Sequence, residues 1–215
     1  MFIACSVASV QGGVSPVCKE FVMSNANKSG ASTASSAKRV AILATDGFEQ
    51  SELMEPLKRL KEAGFTVQVV SPEGPQIRGW KGKDWGDSVD VDLELSAVSP
   101  QDFDALVLPG GVINPDILRT NAEAVAFIQA FDKAGKPLAA VCHGPWLLAE
   151  AGAAKGRKMT SWPSVQTDLR NAGAQWTDAE VVVDGHIITS RKPDDLPAFC
   201  TAVIEAVNHV QARAA

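Results

Sequence analysis

From Lys38 onward, short unbroken apolar runs alternate with stretches of helical periodicity, and that alternation leaves few folds open to the chain. Arg39-Val-Ala-Ile-Leu-Ala-Thr45 is such a run. An apolar stretch with no polar face suits a strand buried on both sides. Leu53, Leu57 and Leu60 then recur at helical spacing, and Gly64 supplies a stop. The same reading predicts strands over Thr66–Val70, Asp104–Leu108 and Pro137–Val141, with helices over about 122–134 and 143–151. Gly74 to Glu94, rich in Gly and Asp with two Trp, reads as an irregular or hairpin excursion. Glu180–Val183 and His186–Ser190 flank Asp184-Gly185, a hairpin signal, and Asp194 is expected to cap a last helix to about Gln211. The order of elements predicts one βαβ-rich α/β domain over residues 38–215 with a mostly parallel central sheet.

The first 37 residues read differently. Ser24 to Ala37 holds five serines and two asparagines and no aromatic residue. Such a stretch buries too little apolar area to offset the entropy of ordering it, so residues 1–37 are expected to be a disordered tail. Phe2 to Val10 is mildly apolar but lacks the basic start of a signal peptide, the first Lys being Lys19. Met23 is the simpler expected start, with Met1–Val22 an over-extended reading frame. No apolar run reaches the ~18 residues of a membrane span. Twenty-five acids against 20 bases argue against a nucleic-acid binder. Cys5, Cys18, Cys142 and Cys200 are too scattered for a disulfide framework or a zinc site, so a reducing, cytoplasmic setting is expected.

In open α/β sheets, sites form beyond the carboxyl ends of the strands. Three segments lie there: Asp46-Gly-Phe-Glu49, Pro109-Gly-Gly111 and Cys142-His-Gly144. The third puts a cysteine where a strand turns into a helix, the geometry of a nucleophile elbow. A thiol at a helix N-terminus is expected to have its pKa lowered by the dipole and free N–H groups. The plain alternative is an inert, buried packing cysteine. His143 is the one histidine beside a plausible nucleophile; His186 and His209 read as structural or exposed. Gly110-Gly111 suits a turn, and equally suits an oxyanion hole built from backbone N–H groups. Asp46 and Glu49 have the spacing of a capping box, which is at least as good an account of Glu49 as catalysis. Among five tryptophans, Trp146 and Trp162 are the candidate pocket walls.

Together, Asp46-Gly-Phe-Glu-Gln-Ser-Glu-Leu53, Leu106-Val-Leu-Pro-Gly-Gly111 and Ala140-Val-Cys-His-Gly-Pro-Trp-Leu-Leu148 resemble the PfpI-type intracellular protease family, in the superfamily of the Parkinsonism-associated deglycase. The resemblance runs from about Arg39 to Val210. It implies a flavodoxin-like sandwich with helices on both faces of the sheet and a reactive Cys142. It further implies an adjacent His143 and a Glu49 carboxyl hydrogen-bonded to the sulfur; backbone N–H groups near Gly111 and His143, beside Gly110, are the expected oxyanion hole. A further acid, Asp116 by position, would reach the histidine from a neighbouring subunit of a dimer or hexamer. The family's protease pattern has glutamate at that position. No His-x-Glu follows Cys142, which excludes the glutamine amidotransferases that share the elbow.

The leading expectation is a cysteine-dependent enzyme acting on reactive carbonyls such as methylglyoxal, or on their early adducts with protein amines, with no metal or organic cofactor called for. A peptidase using the same nucleophile is the alternative enzyme. An oxidative-stress sensor or holdase is the alternative outside catalysis.

Overall fold

The computed structural model describes residues 37–210, so the expected tail and start site fall almost wholly outside the described residues. The elements run β1 (Arg39–Leu43), β2 (Phe48–Glu49), α1 (Gln50–Glu62), β3 (Thr66–Ser71), β4 (Gln76–Lys81), β5 (Asp84–Asp90) and β6 (Leu93–Glu94). They continue as β7 (Ala105–Leu108), α2 (Ile113–Leu118), α3 (Ala122–Lys133), β8 (Leu138–Val141), α4 (Pro145–Glu150) and β9 (Lys158–Met159). The last are α5 (Gln166–Asn171), β10 (Gln175–Trp176), β11 (Val181–Asp184), β12 (Ile187–Ser190) and α6 (Leu196–His209).

Seven strands form the central sheet in the order β11-β12-β8-β7-β1-β3-β6. Every neighbouring pair is parallel except β11 with β12, the expected hairpin. The parallel core β3-β1-β7-β8-β12 has the 2-1-3-4-5 order of a flavodoxin-like fold. Because side chains alternate along a strand, β1 sends Ala41 and Leu43 to one core and Val40 and Ile42 to the other. The first core includes Phe127 and Phe131 of α3, Leu147 of α4 and Leu169 of α5. The second includes Leu53 and Leu60 of α1 and Phe199, Val203 and Val207 of α6. Helices therefore cover both faces, which is why the strands read as unbroken apolar runs. None of the described helices is long and apolar enough to cross a membrane.

The segment from Gly74 to Glu94 is the expected hairpin: β4 and β5 pair antiparallel, and β2 adds in parallel on β4. Asp194 does not cap the last helix. It is exposed and pairs with Lys192, whereas Asp195 takes the N-cap position and gives its carboxylate to Arg191. Pro193 starts a single 3₁₀ turn ahead of the helix, which moves the cap one residue on.

Candidate active site

The three loops singled out in the sequence meet at the carboxyl ends of β1, β7 and β8. At the third, Cys142 follows β8 with φ of 62°, the one described non-glycine residue in the left-handed region. An L-residue held there is strained, and such strain clusters at functional positions. The surrounding backbone imposes it: Cys142 N–H donates to Ser190 O at 3.1 Å, and Trp162 N–H donates to Cys142 O at 2.9 Å. The elbow points the thiol back over the Gly110-Gly111 turn. A Cβ on Gly110 would lie 2.7 Å from Cys142 Cβ and 2.6 Å from Glu52 Oε2, so only glycine lets the turn approach so closely.

The carboxyl beside the thiol belongs to Glu52, not Glu49. Glu52 is fully buried on the inner face of α1, where its Oε2 and Cys142 Cβ crowd the same point beside Gly110, and its Oε1 has no hydrogen-bond partner among the described residues. Gly110 N–H donates to Glu52 Oε2 at 2.9 Å. Glu49 is one turn away and serves as the N-cap of α1. Its Oε2 accepts from Glu52 N–H at 3.0 Å and from the Ser51 hydroxyl. Glu49 does cap the helix, but as the N-cap itself and not as the third residue of a capping box begun by Asp46. Asp46 instead accepts the Arg78 N–H at 2.6 Å, tying the loop to β4. A signal for Glu52 was present in the sequence. It falls on the buried stripe with Leu53, Pro56 and Leu60, where an acid is out of place unless it has work to do.

Burial, and after it the charge of Glu49, pushes the Glu52 carboxyl up to about 8, against the opposing pull of Cys142 and of the N–H groups in the glycine turn. Glu52 therefore carries a proton at neutral pH. For Cys142 the expected lowering does not prevail. Burial pushes the thiol up, and a charged Glu52 would push it further; N–H groups of Gly111 and His143 pull it down without overcoming burial. The helix N-terminus acts as expected, but desolvation of a sulfur anion costs more. Those same two N–H groups are the ones the sequence nominated as an oxyanion hole.

His143 is buried, and its Nδ1 lies 3.2 Å from Cys142 Sγ. Burial holds the imidazole below its usual range, so the ring is neutral at pH 7. Trp146 meets the ring edge to face at 5.1 Å, and Trp162 stacks on it at 6.1 Å, so both nominated tryptophans flank the site. Trp146 is itself fixed by its indole N–H donating to Asp168 at 2.7 Å. Within the chain, Asp116 does not reach the histidine. It is exposed in the first turn of α2 and makes no side-chain hydrogen bond with another described residue. The group at His143 Nε2 is the hydroxyl of Ser164, 3.3 Å away, which sequence reasoning missed because no spacing rule links a serine to a histidine 21 residues earlier.

Asn114 was also missed. Fully buried, it accepts the Thr45 N–H at 2.8 Å and donates to the carbonyls of Pro109 and Gly110, locking the β1 and β7 loops together beneath the thiol.

This elbow, with its buried glutamate and double-glycine turn, lies within a match to the DJ-1/PfpI family that spans residues 38–206. The chain belongs to the DJ-1/PfpI family. Deglycase TK1284 of Thermococcus kodakarensis is 50% identical over 161 residues, covering 75% of this chain and 94% of that protein. Protein/nucleic acid deglycase 2 of Escherichia coli is 44% identical over 164 residues, covering 75% and 93%. A solved two-domain protein from Anabaena variabilis, containing DJ-1/ThiJ/PfpI-like and ferritin-like domains, superposes with a TM-score of 0.76 at 38% identity. That match covers 83% of this chain and 52% of the other, about half its length. In this DJ-1/PfpI domain, then, a thiol, a neutral imidazole and a protonated carboxyl converge on one point.

Proposed function

We propose that the protein is a cysteine-dependent enzyme acting on reactive carbonyls, a deglycase or glyoxalase-type activity on methylglyoxal, glyoxal and their early adducts with amines. The observation that carries this reading is the fully buried Glu52 carboxyl beside Cys142 at the Gly110 turn, a place where burial keeps a carboxyl protonated. An acid in that place protonates a carbonyl oxygen as sulfur adds to its carbon.

His143 Nδ1 takes the thiol proton, and Sγ bonds the aldehyde carbon of methylglyoxal. The oxygen, polarised by N–H groups at Gly111 and His143, is protonated by Glu52, giving a hemithioacetal. Where the substrate is a hemiaminal on a protein amine, the same attack breaks the C–N bond, and the amine leaves with a proton. The proton on the former aldehyde carbon is then removed and one is returned to the neighbouring carbon. One carbon is oxidised as the other is reduced, leaving a thioester of a 2-hydroxy acid. Water cleaves the thioester, releasing lactate and restoring the thiol. No external oxidant or reductant enters.

The relatives named deglycase support this assignment. Free thiols at Cys142 and Cys200 fit a reducing cytoplasm. The enzyme works as a homo-oligomer in which α2, carrying Asp116, meets a second subunit. Purified protein is expected to convert methylglyoxal to lactate and to release amine from a glycated peptide faster than it cleaves a plain peptide. Cys142→Ala should abolish turnover; equal rates for variant and wild type would refute the scheme.

A further inference from the structure

We infer that Ser164 is a positioning residue for His143: its hydroxyl accepts the Nε2–H of the ring and thereby presents an unprotonated Nδ1 to the Cys142 thiol. The inference rests on the cysteine chemistry proposed above, and it concerns how the base is held.

The geometry leaves little choice. A neutral imidazole has one N–H and one lone pair. Nδ1 lies 3.2 Å from Sγ and Nε2 lies 3.3 Å from the Ser164 Oγ. A thiol needs an acceptor in order to give up its proton, so the useful tautomer carries hydrogen on Nε2, and a hydroxyl oxygen is there to receive it. Two tryptophans flank the ring and restrict its rotation, Trp146 packing against it at 5.1 Å and Trp162 stacking on it at 6.1 Å. Ser164 is placed by a short 3₁₀ turn, Pro163–Val165, anchored at one end by the buried Val165 and at the other by Trp162 N–H donating to Cys142 O. The nucleophile's own carbonyl thus sets where the serine stands.

A hydroxyl at this position differs from a carboxylate in one respect that matters. It fixes the tautomer but supplies no negative charge to stabilise an imidazolium. Among the described residues the charged and titratable groups around the ring are few, and in the oligomer proposed above a second subunit's Asp116 would add to them. Cys142 faces Nδ1 with Glu52 behind it. Beyond Trp146 stand Asp168, held by the indole N–H, and Arg119, paired with Glu150. None of the last three touches the ring. His143 takes the Cys142 proton at Nδ1, and the hydroxyl at Nε2 orients the ring for that transfer without adding a charge of its own.

The test uses full-length protein with ¹⁵N-labelled histidine. Nitrogen chemical shifts should report the Nε2–H tautomer of His143 in the wild type. Ser164→Ala should give a mixed tautomer and a methylglyoxal kcat lowered about tenfold with little change in KM, and Ser164→Thr should restore both. Ser164→Asp should raise the His143 pKa by about one unit or more. It should then make Cys142 react with iodoacetamide faster than wild type at pH 6. An unchanged tautomer and unchanged pH profile in Ser164→Ala would overturn the inference. So would Asp116→Asn producing the tautomer change that Ser164→Ala does not. The two readings fail separately: a wild type with the Nε2–H tautomer and no carbonyl turnover defeats the proposed function and leaves the placement of Ser164 standing.

Discussion

Glu52 and Glu49 lie three residues apart on one helix and do different work, because a single turn of α1 separates the core from its rim. Glu52 is fully buried, while Glu49 is half-buried and spends its carboxylate on the helix N-terminus. Glu52→Gln keeps the shape and removes the transferable proton, so methylglyoxal turnover should fall by ~10²–10⁴-fold with the fold intact. Glu49→Ala should instead cost ~1 kcal/mol of stability, as lost caps do, and leave kcat within a few-fold. Steady-state kinetics and urea unfolding on both variants decide this. A reversal of the two effects would return the acid's role to Glu49. The pH dependence has a definite sign. In the unfolded chain Glu52 loses its proton near 4.5, and in the folded protein only near 8. Its contribution to stability is fully present below pH 4.5 and is lost as pH rises towards 8, at ~1.4 kcal/mol per pH unit across that window at most. Glu52→Gln escapes this loss. Its stability relative to wild type should therefore improve between pH 5 and pH 8, and a relative decline over that range would contradict the burial of a protonated acid.

At the scale of elements, the site is a junction of loops whose positions are fixed by backbone rather than by side-chain charge. Asn114, at the second position of α2, carries much of that fixing. Asn114→Ala removes the partner of the Thr45 N–H and of the Pro109 carbonyl and leaves Gly110 O with only the Glu49 N–H, which should destabilise the protein by on the order of 3 kcal/mol. It should also lower kcat by releasing the Gly110-Gly111 turn, and a loss under ~1 kcal/mol in urea unfolding would remove this role. The strands that carry these loops were legible in the sequence because burial on both faces writes an unbroken apolar run. The long helices were legible because one-sided burial writes a 3.6-residue period. Neither signal reaches the short elements. The six-residue helices α2 and α5 are too brief to show a period, and β9 and β10 are two residues each. The cysteine elbow could be read because it is local. Glu52 against Cys142 could not, since 90 residues separate them and the contact exists only through the sheet order. His143 was found by adjacency, and Ser164 was not found because folding alone brings it there.

On the scale of the whole molecule, the exposed apolar groups are unevenly spread. Among the described residues, the large ones are Trp85, Val112, Ile117, Trp162 and Val183. Three of these belong to the catalytic end. Val112 and Ile117 lie at the start and within the last turn of α2, directly after the glycine turn, at 56% and 39% exposure. Trp162 stacks on His143 and is 39% exposed. Apolar side chains gathered at one end of a domain are the kind of surface that the second copy proposed above would cover, with the same patch on both sides of a two-fold axis. Asp116 lies on the same short helix, which would place it at the rim of such an interface. Sedimentation velocity of the wild type should therefore give at least a dimer at micromolar concentration. Ile117→Glu puts a charge into the contact at a desolvation cost of several kcal/mol, enough to favour the monomer. If subunit contact completes the mouth of the site, specific activity should fall as the wild type is diluted through its dissociation range, and Ile117→Glu should show the low value at every concentration. A wild type that sediments as a monomer with full turnover would mean that the patch serves the substrate rather than a second subunit.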